Sequence, residues 1–200
     1  MTASLVVVLF AVTLGAGLVV YVLSDLLERI DQARLHTALA VIVVAYATAL
    51  WYRPPSLIVS NTVVLGLAIA AATAIGRRFR EAQSIIAFSI AASIADIISF
   101  TVGPTRSILE NAERTSGSFI SYLALSIPRL EGIVPVVGVG DLLVLGVYFV
   151  ALKQVGATAL WRLPIPTAGL LVALGVGLMT GGAFGIPFMA LAAIAYLLLS

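Results

Sequence analysis

Apolar residues occur in long runs that are separated by short polar connections rich in proline and glycine. Crossing a bilayer as an α-helix takes about 17–25 predominantly apolar residues. Seven runs reach this length, and they cover 3–24, 35–52, 56–75, 82–102, 133–152, 164–180 and 183–199. The pattern therefore predicts an all-α fold, a polytopic transmembrane helical bundle of about seven spans.

The connections divide the chain without separating it into independent domains. Arg53-Pro54-Pro55 and Gly76-Arg77-Arg78 are typical helix breakers. The longest connection, 103–132, contains an apolar stretch at 119–127 that is too short to span, so we expect it at the membrane interface or packed on the bundle. We predict one membrane domain, 1–200, with an N-terminal three-helix part, 1–81, and a second part, 82–200.

Composition excludes a soluble domain and most cofactor chemistry. Hydrophobic residues make up 62% of the chain and charged residues 10%, whereas soluble domains carry roughly 25% charge. Eleven basic and nine acidic side chains predict no nucleic-acid surface. The chain has no cysteine and only one histidine, His36, which rules out disulfides, thiolate metal sites and a HExxH zinc site. We expect neither a metal nor an organic cofactor.

Two aspartates stand out because they fall inside apolar runs. These runs contain no lysine or arginine. Intramembrane carboxylates are costly and usually functional. Asp96 lies seven residues before Gly103, and Asp141 lies eight residues after Ile133. At 1.5 Å per residue these positions are about 10 Å and about 12 Å from the same membrane face. Consecutive spans run antiparallel, so we predict that the two carboxyl groups meet.

Neighbouring carboxyl groups share a proton because both cannot easily ionise. The ionised group can then take a proton from water while the protonated one donates a hydrogen bond to a carbonyl, which is aspartyl protease chemistry. A proton-coupled transporter also uses buried carboxylates, so depth alone leaves both functions open. Asn61 and Thr62, in the third run, are interpreted as interhelical hydrogen-bonding residues.

Short motifs around the aspartates favour the protease. Gly138-Val139-Gly140-Asp141 places two glycines before the acid, where another backbone can approach closely. Gly103-Pro104-x-Arg106-x-x-x-Glu110 follows Ala95-Asp96, and Pro187-Phe188-Met189 lies near the start of the last run. Together these residues resemble the presenilin-type (presenilin/signal peptide peptidase) intramembrane aspartyl proteases of the GxGD class, in the form of a short prokaryotic or archaeal homologue. The resemblance covers 84–191.

The resemblance implies a presenilin-like C-terminal four-helix catalytic unit that cleaves peptide bonds within transmembrane segments. Asp96 and Asp141 would be the catalytic dyad, and Pro187 would begin the last helix. By the same analogy the stretch 119–127 would act as a plug or be self-cleaved. Residues implied to contact the substrate are Gly138, Val139, Gly140, Leu142, Pro187, Phe188 and Met189. The implied partners are transmembrane protein or peptide substrates and the lipid bilayer, with a homo-oligomer possible.

Three alternatives stay open. A prepilin-type leader peptidase also carries GxGD but usually has a lysine soon afterwards, whereas Leu142-Leu143-Val144 follow here. A proton-coupled transporter or a non-catalytic membrane protein belongs to a different class; inverted repeats would favour transport, and we identify none.

Location and orientation rest on the basic residues. Ten arginines against one lysine, with no cysteine, favour a prokaryotic cell membrane. If connection 103–132 is cytoplasmic, as in presenilins, four basic residues lie inside and seven outside. The positive-inside rule favours the opposite orientation.

Overall fold

The computed structural model describes residues 3–52, 56–101, 124–129, 132–180 and 185–199. These residues form helices and one two-stranded antiparallel sheet. In chain order the elements are α1 (Ala3–Leu27), α2 (Gln32–Tyr52), α3 (Leu57–Gly76), α4 (Ala82–Thr101), β1 (Ala124–Arg129), β2 (Gly132–Gly138), α5 (Val139–Gln154), α6 (Ala159–Arg162), α7 (Pro164–Thr180) and α8 (Gly185–Leu199).

The predicted helical class is confirmed, and the fold is compatible with a multi-pass membrane protein. Five helical segments are long and apolar enough to cross a membrane. They are Leu5–Leu27, Gln32–Tyr52, Leu57–Gly76, Ala82–Thr101 and Ala159–Met179. The other two predicted spans are represented by the shorter helices α5, of 16 residues, and α8, of 15 residues.

The predicted fifth span, 133–152, is wrong in its first part. Residues Gly132–Gly138 form β2, which pairs with β1, and α5 begins only at Val139. A continuous apolar run does not by itself distinguish a strand from a helix. Here β-branched residues favour a strand and Pro135 opposes a helix. Asp141 therefore lies in the first turn of α5 and not about 12 Å into a helix.

The strand β1 accounts for part of the apolar stretch 119–127. Residues 124–127 belong to β1, which packs on α3. Residues 119–123, like most of connection 103–132, lie outside the described residues. The prediction that 119–127 forms a plug or is self-cleaved thus falls partly outside the described residues.

Helix α5 is the centre of the bundle, and every residue from 144 to 152 is buried. Helices α1, α3, α7 and α8 surround it, α2 lies outside α3, and α4 packs mainly on α8. One hydrophobic core contains Val20 and Ile69 together with Leu145 and Met189. The predicted parts 1–81 and 82–200 thus share a single core.

Some helices extend beyond the predicted apolar runs and therefore include basic side chains. Arg162 lies in the segment Ala159–Met179, is only 8% exposed, and donates a hydrogen bond to the hydroxyl of Tyr21 at 2.9 Å. Lys153, in the last turn of α5, pairs with Asp25 at 2.5 Å and also with Glu28. Long cationic side chains reach a helix end while their stems stay in apolar surroundings. These charges lie at the opposite end of α5 from Asp141.

Glycines allow the central helices to pack closely. A Cβ atom added at Gly146 of α5 would lie 2.7 Å from the Cβ of Ala72 in α3. A Cβ atom added at Gly76 of α3 would lie 2.7 Å from the Cβ of Val150 in α5. Both distances are far below van der Waals contact, so α3 and α5 depend on these glycines for their separation.

We predict that Gly146→Ala destabilises the bundle by about 1–3 kcal/mol, because the new methyl group forces α3 and α5 apart. The matched control is Gly66→Ala, where an added Cβ meets nothing within 4 Å. Thermal unfolding in detergent micelles measures both variants. A Gly146→Ala midpoint equal to that of wild type would contradict this packing.

Candidate active site

Asp141 is held at the N-terminus of α5 by the preceding glycine. Gly138 is the N-cap, with φ −66° and ψ 150°, and its N–H donates to the Asp141 carboxylate. An acidic residue in the first turn that accepts from the N-cap N–H is half of a capping box, and it also interacts favourably with the helix dipole. A Cβ atom at position 138 would lie 3.3 Å from Asp141 Oδ2. Glycine therefore leaves room for the carboxylate.

Asp96 reaches the N-terminus of a different helix. Its side chain is partly buried on α4, and Oδ2 accepts a hydrogen bond from the Ile186 N–H of α8 at 3.3 Å. The first N–H groups of a helix have no intrahelical acceptor, so they are available to an external carboxylate. Because α4 packs on α8, the carboxylate and this N–H face each other.

The first turn of α8 brings the two aspartates together. A Cβ atom added at Gly185 would lie 2.8 Å from Asp141 Cγ, and the next residue, Ile186, binds Asp96. Since Gly185 and Ile186 are adjacent, backbone dimensions limit the separation of the two carboxyl groups to about 10 Å. The charge of Asp96 acts on Asp141 electrostatically. From the sequence alone, Gly185 before Pro187 predicts only a bendable backbone.

A buried hydrogen bond sets the relative height of the two helices that carry the aspartates. The Tyr148 hydroxyl of α5 donates to Ser89 Oγ of α4 at 2.8 Å. Asp96 lies seven residues after Ser89, and Asp141 lies seven residues before Tyr148. Seven residues are almost two helical turns, or about 10.5 Å. The bond therefore places both aspartates at one level and on the corresponding faces of their helices.

Neither aspartate has a cationic partner in the described part of the chain, where the ion pairs join Lys153 and Arg162 to Asp25 and Glu28. The interactions with Asp96 and Asp141 come instead from main-chain N–H groups at the starts of two helices. A helix N-terminus carries about half a positive charge. It therefore favours a carboxylate without forming a fixed salt bridge.

The other residues expected to contact a substrate divide into two groups. Gly140 is exposed with nothing within 4 Å of an added Cβ, while Val139, Pro187 and Phe188 are partly buried. Leu142 and Met189 are fully buried core residues. Their contact with a substrate stays a prediction.

Pro187 is the third residue of α8 and not its first. Its missing N–H still costs nothing, because the first turn has no intrahelical acceptors for these groups. Gly169 of α7 fixes this turn in place, since an added Cβ would lie 2.6 Å from both the Phe188 carbonyl oxygen and the Met189 Cα. Nothing in the local sequence marks Gly169 as a contact of α8.

A cavity of about 180 Å³ opens beside Asp141. Because water must reach aspartates about 10 Å deep, the sequence predicts a hydrated cavity between the fourth, fifth and seventh spans. The observed cavity is lined instead by residues of α1, β2, α5, α7 and α8, with none from α4. Because α4 packs directly on α8, the free volume lies on the other side of the α8 N-terminus, towards α1 and α7.

Asn61 has a role that differs from the expected interhelical bond. Its side-chain amide donates to the Ser126 carbonyl at 2.7 Å and accepts from the Ser126 N–H at 3.0 Å, so α3 binds the outer edge of β1. Thr62 is exposed and bonds only to the Ile58 carbonyl of its own helix. A polar side chain near the start of α3 was the available signal, and its partner could not be read from sequence.

Two other features of the sequence are the Gly103–Glu110 motif and the single histidine, His36. The Gly103–Glu110 motif lies outside the described residues. His36 is exposed, with Nε2 3.5 Å from Gln32 Nε2. Among the described residues no group of three His, Cys, Asp or Glu side chains is arranged to hold a metal ion.

No family model, curated protein or solved structure matches this chain. The geometry of the site therefore carries the functional interpretation.

We predict that cysteines at positions 96 and 141 cross-link efficiently with a short bifunctional thiol reagent, because both side chains contact one turn of α8. The chain has no native cysteine, so Asp96→Cys/Asp141→Cys gives an unambiguous gel shift. Adding Tyr148→Phe should lower the cross-linking yield, because it removes the hydrogen bond between α4 and α5. A hydrogen bond of this kind contributes about 1 kcal/mol to stability.

The control for this experiment is Glu81→Cys with Asp141→Cys. Glu81 immediately precedes α4 and lies fifteen residues before Asp96. The distance between these two positions along the helix axis is about 22 Å. Equal cross-linking of both pairs would contradict the arrangement described here.

Proposed function

We propose that this chain is an intramembrane aspartyl endopeptidase that hydrolyses peptide bonds within transmembrane segments, with Asp96 and Asp141 as its catalytic dyad. The observation that carries the proposal is the contact of both carboxyl groups with the Gly185–Ile186 turn, without a cationic partner among the described residues. A purely structural role would favour pairing each acid with a base, because an unpaired charge in an apolar bundle is costly.

The proposed reaction needs only the two carboxyl groups and water. The pair shares one proton, and which aspartate holds it is a property of the pair. The ionised aspartate removes a proton from water as the oxygen attacks the scissile carbonyl, and the other aspartate donates a hydrogen bond to the carbonyl oxygen. The first aspartate then gives the proton that it took from water to the amide nitrogen as the C–N bond breaks, which leaves a carboxylic acid and an amine.

An extended substrate has a place beside the dyad. Asn61 binds the main chain of Ser126 at the outer edge of β1, and within the described residues no third strand pairs with the outer edge of β2, where a substrate strand would add. The strand β2 leads directly to Gly138 and Gly140, and Gly140 is exposed. Main-chain pairing along an open strand edge suits a protease, because it binds peptides independently of their side chains.

The proposal includes seven crossings and a C-terminal catalytic unit of α4, α5, α7 and α8 in the membrane of a prokaryotic cell. The helix α5 alone rises about 24 Å, less than the roughly 30 Å of a bilayer core. The strand β2 would complete the fifth crossing, where its pairing with β1 satisfies backbone groups inside the protein.

We predict that purified wild-type chain in lipid vesicles cleaves a reporter carrying a single transmembrane segment, and that Asp96→Asn and Asp141→Asn each lower the rate at least about 100-fold. General acid–base catalysis contributes about 10²–10⁴-fold, so loss of either carboxyl group should remove most of the activity. Product masses measured over time provide the rate. Undiminished cleavage by either variant would overturn the proposal.

The same assay tests the alternatives. A prepilin-type enzyme would cleave only substrates that carry a basic leader before the apolar segment. A transporter would give no product with any reporter, and proton uptake into vesicles would then depend on Asp96 and Asp141. Cleavage restricted to substrates with a basic leader would replace the present proposal with a prepilin-type peptidase. Absence of any product together with aspartate-dependent proton uptake would replace it with a transporter.

We predict that Gly185→Ala lowers kcat about 100-fold while the chain stays folded, because the added methyl group displaces the Asp141 carboxylate. A shift of about 1 Å in a catalytic group costs on the order of 100-fold in rate. The matched control is Gly15→Ala on α1, where an added Cβ meets nothing within 4 Å. Equal turnover by Gly185→Ala and Gly15→Ala would show that this turn does not position the dyad.

A further inference from the structure

The cavity beside Asp141 has a chemical character that goes beyond the dyad. Asp141 forms part of its wall, and most of the remaining wall comes from aliphatic side chains and glycine on α7, β2 and α8. Among the described lining residues the other polar one is Thr13 of α1, whose hydroxyl donates to the Leu9 carbonyl at 2.8 Å. Beyond the Asp141 carboxylate, the lining side chains therefore suit an apolar group.

The size of the cavity matches a large side chain. Its volume is about 180 Å³. An apolar cavity of about 150 Å³ in another protein holds a benzene molecule. The side chain of leucine, methionine or phenylalanine therefore fills this space, whereas alanine or glycine leaves most of it empty.

The depth of the cavity is set by one face of α7. Ala173 and Gly177 are four residues apart, so they lie on the same side of the helix, and Leu174 also lines the cavity. Residues Val136 and Val137 of β2 form the wall nearest the sheet. A peptide that approaches the dyad along β2 would pass this cavity immediately before its bond reaches Asp141.

We propose that this cavity binds the side chain of a residue flanking the scissile bond, and that it selects leucine, methionine or phenylalanine over alanine or glycine. The proposal rests on the proteolytic function proposed above. In this proposal α7 is the element that determines specificity. The substrate class is apolar transmembrane sequences with a bulky residue beside the cleaved bond. Since the substrate comes from lipid, selection arises from packing contacts more than from transfer out of water.

The test uses reporters that differ only in the residue on either side of the cleaved bond, with Leu, Phe, Ala or Gly at each position. Wild type should show on the order of a tenfold higher kcat/KM for Leu or Phe than for Ala or Gly at one of the two positions. Gly177→Leu fills the cavity and should remove or reverse this preference. Leu174→Ala enlarges it and should raise the ratio of Phe to Leu.

The matched control is Val172→Ala, on the same helix but 53% exposed and not part of the cavity wall. It should keep the wild-type preference. Thermal unfolding reports whether each variant is folded, and the Leu174→Ala arm tests the proposal independently if Gly177→Leu does not fold.

The outcomes separate this inference from the proposed function. If Asp141→Asn abolishes cleavage but the preference is absent in wild type, or is unmoved by both Gly177→Leu and Leu174→Ala, the specificity pocket is overturned and the protease stands. If wild type cleaves no reporter, or Asp141→Asn cleaves normally, both proposals fall.

Discussion

The enclosure of α5 within the bundle is the constraint on which the rest of the structure depends. Residues 144–152 are buried without interruption, so charged side chains are confined to the two ends of the helix. Lys153 at one end pairs with Asp25 in the last turn of α1 and with Glu28 just after that helix. Asp141 at the other end finds main-chain groups and a second aspartate. The separation of structural salt bridges from the candidate site follows directly from this arrangement.

Two acidic groups are held close together in an apolar bundle by the starts of helices and by glycine. Asp141 lies at the N-terminus of α5, and Asp96 binds the second N–H of α8. Partial positive charge at a helix N-terminus offsets a carboxylate without consuming it in a salt bridge. Glycine at positions 138 and 185 supplies the space that this geometry requires. The same turn of α8 therefore supports both acids and leaves them available to a third group.

The hairpin of β1 and β2 is the part of the fold that most changes the interpretation of the site. It replaces the first turns of a predicted helix with an extended segment that ends beside Asp141. Buried backbone groups outside helices need hydrogen-bond partners, and Asn61 provides them at Ser126 of β1. The cavity lies between this segment and α7, so an extended backbone and an apolar pocket meet at one carboxylate.

The sequence by itself determined the helical class, the bounds of most helices to within a few residues, and the choice of Asp96 and Asp141. These features follow from local chemistry, because long apolar runs favour membrane helices and acids within them are rare. Only the tertiary structure decided that 132–138 is a strand, that Gly185 lies against Asp141, and that Asn61 binds a strand edge. The contacts of Gly185 with Asp141 and of Asn61 with Ser126 join residues distant in sequence, whereas the strand 132–138 depends on pairing with the neighbouring strand β1. Hydrophobic periodicity does not specify which distant residues approach one another, and packing around α5 does.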